Sequence, residues 1–251
     1  MLNQKPMLGD LPYWPAFPQP IGLWVMNERA GTIFNDLSGN GNNGIITDLS
    51  GGGGWVGDSL YLLTTDDADV GPRTDRAYNT YVIWIKSADW GAARYAYHKA
   101  NIVRLGSTDG ANVRAYQYAG TGGLNYVTST GHNCSDGKWH QYAHTWDGTD
   151  LKLYIDGVYI NSVSTNPGTG DINTGANLPL CPDVTNNQLY YKTFSIYDKV
   201  LTAQQIAYLY RNPFPWFEED EGSHLYVPAA GGISMPLLMQ QMNHFNGGMA
   251  A

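Results

Sequence analysis

Between residues 21 and 217 one pattern keeps returning: a short apolar run, closed by a cluster of Gly, Asn or Asp. The runs 21–26, 79–86, 113–118, 139–146, 151–155, 158–163 and 189–197 all have the length of a strand. Short strands at this spacing, with turn residues between them, predict an all-β sandwich of two antiparallel sheets. Composition agrees. Charged residues make up 14% of the 251, against about 25% in an average globular chain. The 30 glycines suit turns, and the scarcity of charge argues against amphipathic surface helices.

Three local units can be read in detail. Leu151, Leu153 and Ile155 alternate with Lys152 and Tyr154, and Asp156-Gly157 then makes a two-residue turn of the primed type. The simplest register pairs Ile155 with Val158 and Leu153 with Ile160, all on the core face. The four glycines at 51–54 read as a flexible loop; without a following helix they make a poor phosphate cradle. Thr202 and Gln205 are spaced as a capping box, and Leu201 is placed to staple onto Ile206. They predict a short helix, clipped onto a sandwich edge, with Ile206, Leu209 and Tyr210 on one face and Pro213 as its stop.

The two ends differ from the middle. Residues 1–20 form an arm in which Pro6, Pro12, Pro15, Pro18 and Pro20 forbid a helix. It carries Tyr13, Trp14 and Phe17, rings that need a surface of this domain or of a partner. Residues 218–251 open with the acidic run 218–221 and contain no Lys or Arg. Within them Met235, Leu238, Met239 and Met242 would share one face of a docking helix. The N-terminus lacks a basic stretch followed by an apolar core, so no signal peptide is expected. No apolar run is long enough for a transmembrane helix. The net charge of −8 and the scattered cations speak against nucleic acid as a partner. Cys134 and Cys181 are expected as free thiols of a protein made in a cytoplasm, though one disulfide between them is open.

Four segments carry a resemblance. They are 22–28 (GLWVMNE) followed by 36–44 (DLSGNGNNG); 81–86 (YVIWIK); 136–140 (DGKWH) continuing through 145–148 (TWDG) to 153–157 (LYIDG); and 194–202 (FSIYDKVLT) with its capped helix. In order and spacing they resemble the laminin-G-like jelly rolls of the concanavalin-A-like lectin/glucanase superfamily, over roughly 190 residues. The resemblance implies a jelly roll of two packed sheets, about a dozen strands in all, with one short helix; it excludes the extended terminal arms. The segment 209–214 (LYRNPF) looks like phage-encoded, virion-associated members.

Glycanases of that superfamily need paired carboxylates about 5–5.5 Å apart for retention. Here Glu occurs only at 28, 218, 219 and 221, and no strand carries Asp at i and i+2. Asp66, Asp67 and Asp69 are acidic neighbours, but Gly71-Pro72 beside them suggests a loop. No catalytic residue is therefore expected. His98, His132, His140 and His144 read as hydrogen-bonded structural histidines. No metal or other cofactor is required. Asp36, Asn40 and Asn42 lie in an oxygen-rich loop, however, where relatives often bind calcium. The same residue types also build Asx turns without metal. Relatives often carry an acidic residue where Lys192 stands, which weakens a second cation contact. Sugar-stacking candidates are Trp55, Trp90, Tyr95 and Tyr97, with Tyr116 and Tyr118 beside them.

Two functions follow as expectations. The first is a non-enzymatic virion structural or decoration protein, attached to a capsid, a fibre or copies of itself through residues 1–20 and 218–251. The second is a glycan-binding lectin or adhesion module, with or without calcium, that meets surface glycans through the sandwich.

Overall fold

The computed structural model describes residues 17–63, 65–70, 78–91, 94–99, 102–118, 123–164, 177–180 and 188–213. In chain order the strands are β1 (Gly22–Val25), β2 (Ile33–Phe34), β3 (Gly44–Asp48), β4 (Gly54–Trp55), β5 (Leu60–Leu63), β6 (Asp67–Val70), β7 (Asn79–Lys86) and β8 (Arg94–Lys99). They continue with β9 (Val103–Ser107), β10 (Val113–Tyr118), β11 (Leu124–Thr128), β12 (Trp139–Trp146), β13 (Leu151–Ile155), β14 (Val158–Val163), β15 (Leu178–Leu180) and β16 (Gln188–Tyr197). The helix α1 (Ala203–Arg211) follows. Sheet A runs β14-β13-β12-β7-β16-β5-β4, with β1 also on β16, and sheet B runs β11-β10-β9-β8-β15-β6-β3-β2. Every strand pairing among the described residues is antiparallel.

Alternation decides which face of each strand goes inside. Tyr81, Ile83 and Ile85 from β7, Tyr142 and Trp146 from β12, and Tyr191, Phe194 and Ile196 from β16 supply sheet A's half of the core. Ala96 and Tyr97, Val103 and Leu105, and Val113 and Ala115 supply sheet B's. Buried hydrogen bonds cross between the sheets. The Tyr191 hydroxyl donates to the Ala96 carbonyl at 2.7 Å, and the Tyr97 hydroxyl shares a 2.6 Å bond with His144 Nε2. Both are buried, where a polar group without a partner would be costly. His144 also stacks on Tyr81, centroids 5.0 Å apart.

The β13–β14 turn has the predicted primed geometry, with φ of 50° at Asp156 and 76° at Gly157. Gly157 is also required by packing, since a Cβ there would lie 3.0 Å from the Ala207 Cα of α1. The expected register holds only for the first pair. Ile155 faces Val158, but an irregularity between Leu153 and Tyr154 puts Leu153 opposite Asn161 rather than Ile160. Val158 is 62% exposed instead of core-facing, beside the turn on the edge strand of sheet A, while Ile160 still packs against the core.

The α1 capping box is present: Thr202 Oγ1 accepts from Gln205 N, and Gln205 Oε1 accepts from Thr202 N. Leu201, Ile206 and Leu209 pack with Val82, Ala143, Tyr154 and Tyr197, and Tyr210 stacks on Trp84. The helix therefore covers part of sheet A's outer face rather than an edge, adding a third layer there. Phe17 joins this cluster, its ring 5.7 Å from that of Tyr208.

The two histidines of β12 respond to pH in opposite senses. Burial depresses His144 to about 3 from 6.5. The unfolded chain therefore takes up a proton that the fold refuses, and stability falls as pH drops below 6.5. Burial also opposes charge on His140, but its bonds to Asp156 (2.7 Å) and Asp136 (3.1 Å) outweigh burial and raise its pKa. The stability from His140 is complete below 6.5 and is lost as pH rises through its raised value. We predict that His144→Phe flattens the acid limb of a denaturation-versus-pH curve below 6.5 by up to about 1.4 kcal/mol per pH unit. His140→Gln should lower stability below 6.5 and flatten the limb above it. Urea titrations across the pH range measure both.

Candidate functional site

The residues expected to bind a sugar are divided by a single irregularity. Tyr95 and Tyr97 are two apart on β8, so a regular strand would put them on one face. The β8–β9 register instead pairs Tyr95 with Gly106 and Tyr97 with Leu105, leaving Ala96 as a bulge. The extra residue turns the two rings to opposite faces. Tyr97 is fully buried in the core, and Tyr95 is half-buried on the outside of sheet B. Trp90 is likewise a core residue, its ring edge-on to Tyr142 and its Nε1 donating to the Arg94 carbonyl. The expectation that Trp90 and Tyr97 offer rings to a ligand is therefore corrected: both are sealed between the sheets. Trp55 sits in edge strand β4 of sheet A, its Nε1 donating to the Gly31 carbonyl at 2.8 Å. It belongs to the other sheet from Tyr95.

Around Tyr95 the structure assembles a face that the sequence reading captured only through its tyrosines. In β8 to β11, two rows of side chains cross the outside of sheet B. One row aligns His98, Arg104, Tyr116 and Tyr126; the next aligns Tyr95, Gly106, Arg114 and Thr128. The guanidinium of Arg104 lies 5.7 Å from the ring centres of both Tyr95 and Tyr116. That of Arg114 lies 4.6 Å from Tyr126 and 5.8 Å from Tyr116, and its Nε donates to Thr128 Oγ1 at 2.7 Å. Tyr95, Arg104, Tyr116, Arg114 and Tyr126 thus alternate ring and cation, an arrangement held by cation–π attraction of about 0.5–1 kcal/mol per exposed contact. Gly106 is part of the design. A Cβ there would come within 2.7 Å of the Tyr95 ring and 2.3 Å of the Arg94 carbonyl. Tyr126 is 51% exposed, and Tyr118 lies on the same outer face of β10.

The loop with Asp36, Asn40 and Asn42 is close-knit. The Asp36 carboxylate accepts from the backbone N–H of Leu23, Ser38 and Asn42 at 2.9–3.0 Å. The side-chain amides of Asn40 and Asn42 both donate to the Ile21 carbonyl. The three residues do come together, with their polar groups engaged in an Asx-type turn. Among the described residues, no three His, Cys, Asp or Glu side chains are grouped to hold a metal ion.

Other carboxylates also serve the backbone. Asp66 accepts from Gly51, Gly53 and Leu63 N–H at 2.7–3.1 Å. The glycine loop expected to be free is therefore pinned, and a Cβ on Gly53 would strike the Asp66 carboxylate. Glu28 accepts from Asn27 and Asn35 N–H, and burial raises its pKa despite those bonds. Asp67 and Asp69 lie on strand β6 rather than in a loop, so, against the expectation, one strand does carry Asp at i and i+2. Cys134 is a buried free thiol whose pKa burial raises; Cys181 lies outside the described residues. So do Tyr13, Trp14, Met235, Leu238, Met239 and Met242, all named for docking. Of that set only Phe17 is described, and it packs on α1 of its own domain.

Two stacked antiparallel sheets with a capped helix over one of them define a lectin-like jelly roll. The model of the concanavalin A-like lectin/glucanases superfamily matches residues 56–207, more than half of the chain, and the protein belongs to that superfamily. A comparison with curated proteins returns no match. Among solved structures, the chain is similar to the binding domain of Paraclostridial Mosquitocidal Protein 1, with 17% identity and TM-score 0.66 over 78% of this chain and 52% of that one. The botulinum neurotoxin serotype D binding domain matches with 15% identity and TM-score 0.60, over 77% and 52%. The serotype D ligand-binding domain in complex with N-acetylneuraminic acid matches with 15% identity and TM-score 0.58, over 77% and 51%. The chain thus spans about half the length of these toxin domains, and at this identity the likeness is one of fold.

The Tyr191 hydroxyl is the only cross-sheet donor to the bulge among the described residues. Tyr191→Phe leaves the Ala96 carbonyl buried without that bond, and should cost about 1–3 kcal/mol in a denaturant titration.

Proposed function

We propose that this protein is a non-catalytic glycan-binding module and that the outer face of β8–β11 is its binding surface. The observation that carries this reading is the alternating ring-and-cation row of Tyr95, Arg104, Tyr116, Arg114 and Tyr126. Pyranose rings present flat C–H faces that stack on aromatic rings, and guanidinium groups supply the hydrogen bonds that fix hydroxyl orientation. The superfamily match supports the reading, as does a structural neighbour solved with a sugar acid. Arginines already packed between rings lose less freedom on binding than free surface side chains would.

The competing expectation, attachment to a virion through the terminal segments, rests on residues outside the described ones, apart from Phe17. A glycan array run with and without a chelator tests the proposal. Binding should persist in the chelator, because the recognising groups are rings and guanidiniums. Tyr116→Ala with Tyr126→Ala should weaken binding about fivefold or more, the loss typical of a central aromatic anchor. An array silent under both conditions, or binding unchanged in the double variant, would reject this surface.

A further inference from the structure

We propose that the β8–β11 face selects sugars bearing an acid group, a carboxylate or a sulfate ester; this rests on the glycan-binding reading above. The chain carries a net charge of −8, yet it places Arg104 and Arg114 on the outer face of two adjacent strands. No carboxylate among the described residues pairs with either of them. The outward positions of β8–β11 hold Tyr, Arg, His, Leu, Thr and Gly, and no Asp or Glu.

One donor of this row has no hydrogen-bond partner among the described residues. Arg104 Nε is buried without a hydrogen bond. A buried donor left unmade is costly, and more so on a charged group. Arg114 donates only from Nε, to Thr128, and keeps the rest of its fork. A planar fork of N–H donors matches the paired oxygens of a carboxylate or sulfate, and such charge-assisted bonds are about twice as strong as neutral ones. A neutral sugar's hydroxyls offer no charge to answer these cations. Tyr95, Tyr116 and Tyr126 hold the cations in place and supply the stacking surface beside them, so ring and acid would be read together.

Single-stranded nucleic acid also uses rings and cations, but the surroundings disfavour it. A phosphate strand needs a long basic track. This face ends at β15, beyond which Asp67 and Asp69 of β6 carry the opposite sign.

Calorimetric titrations of the whole chain with lactose, sialyllactose and sulfated lactose test the inference, with a single-stranded oligothymidylate as a fourth probe. Either acidic sugar should bind about tenfold or more tightly than lactose, and the margin should shrink as salt is raised. Arg104→Gln should lower the affinity for either acidic sugar until it no longer exceeds that for lactose. Arg114→Gln, whose side chain is less enclosed, repeats the test if the first variant fails to fold. Equal affinity for lactose and both acidic sugars would overturn the inference while leaving the glycan-binding reading standing. So would a margin that survives both variants, or an oligothymidylate that binds more tightly than any sugar. Binding of none of the three sugars would overturn both.

Discussion

Two tyrosine hydroxyls reach across the core and meet at one irregular step of β8. Tyr191 comes from sheet A to the carbonyl of Ala96, and Tyr97 leaves sheet B to meet His144. A bulge disturbs the ladder around the inserted residue, and here the opposite sheet bonds its carbonyl. The outer face depends on this. With β8 regular, Tyr95 and Tyr97 would share a face, and either the core would lose a ring or the surface row would lose its first member. The interior of the sandwich and its candidate binding surface are thus specified by the same pair of buried bonds.

Carboxylates organise the rest of the framework in a similar way. Asp36 gathers three N–H groups from the strand β1 and the loop before β3. Asp66 gathers three around the glycine loop and β5. Each fixes a turn from within, which suits a chain with few surface ion pairs. Charge-assisted bonds to backbone N–H groups are stronger than neutral ones, so a buried Asp can replace the hydrophobic contacts that a Gly-rich loop lacks.

Much of this was legible in the residues themselves. The runs 79–86, 113–118, 139–146, 151–155 and 158–163 coincide with β7, β10, β12, β13 and β14, because β-branched and aromatic residues with period two leave little alternative. The capping box of α1 was equally plain, being a local signal. Strands such as β2, β4 and β15 are too short to show a period, and they exist only because a neighbour pairs with them. Tyr95 and Tyr116 lie on the outer face of sheet B, but nothing in the sequence separates Trp90 and Tyr97 from them. A bulge has no sequence signature here: Ala96 looks like any strand residue, and its effect depends on Tyr191, 95 positions away. Arg104 and Arg114 stood as isolated cations in the sequence. Only the β9–β10 register brings them between the rings.

The outside of sheet B has one more property, visible when all its strands are taken together. Arg104 and Arg114 lie toward one end, on β9 and β10. Asp67 and Asp69 lie past β15, on β6. Burial and the neighbouring Asp67 raise the pKa of Asp69, while Asn177 bonds its carboxylate. One sheet face therefore runs from positive to negative along its own width. Such a surface is an electric dipole fixed in the fold. Near a charged boundary it experiences a torque before any contact forms, so that an acidic molecule, repelled as a whole by a negative surface, can still approach it arginine side first.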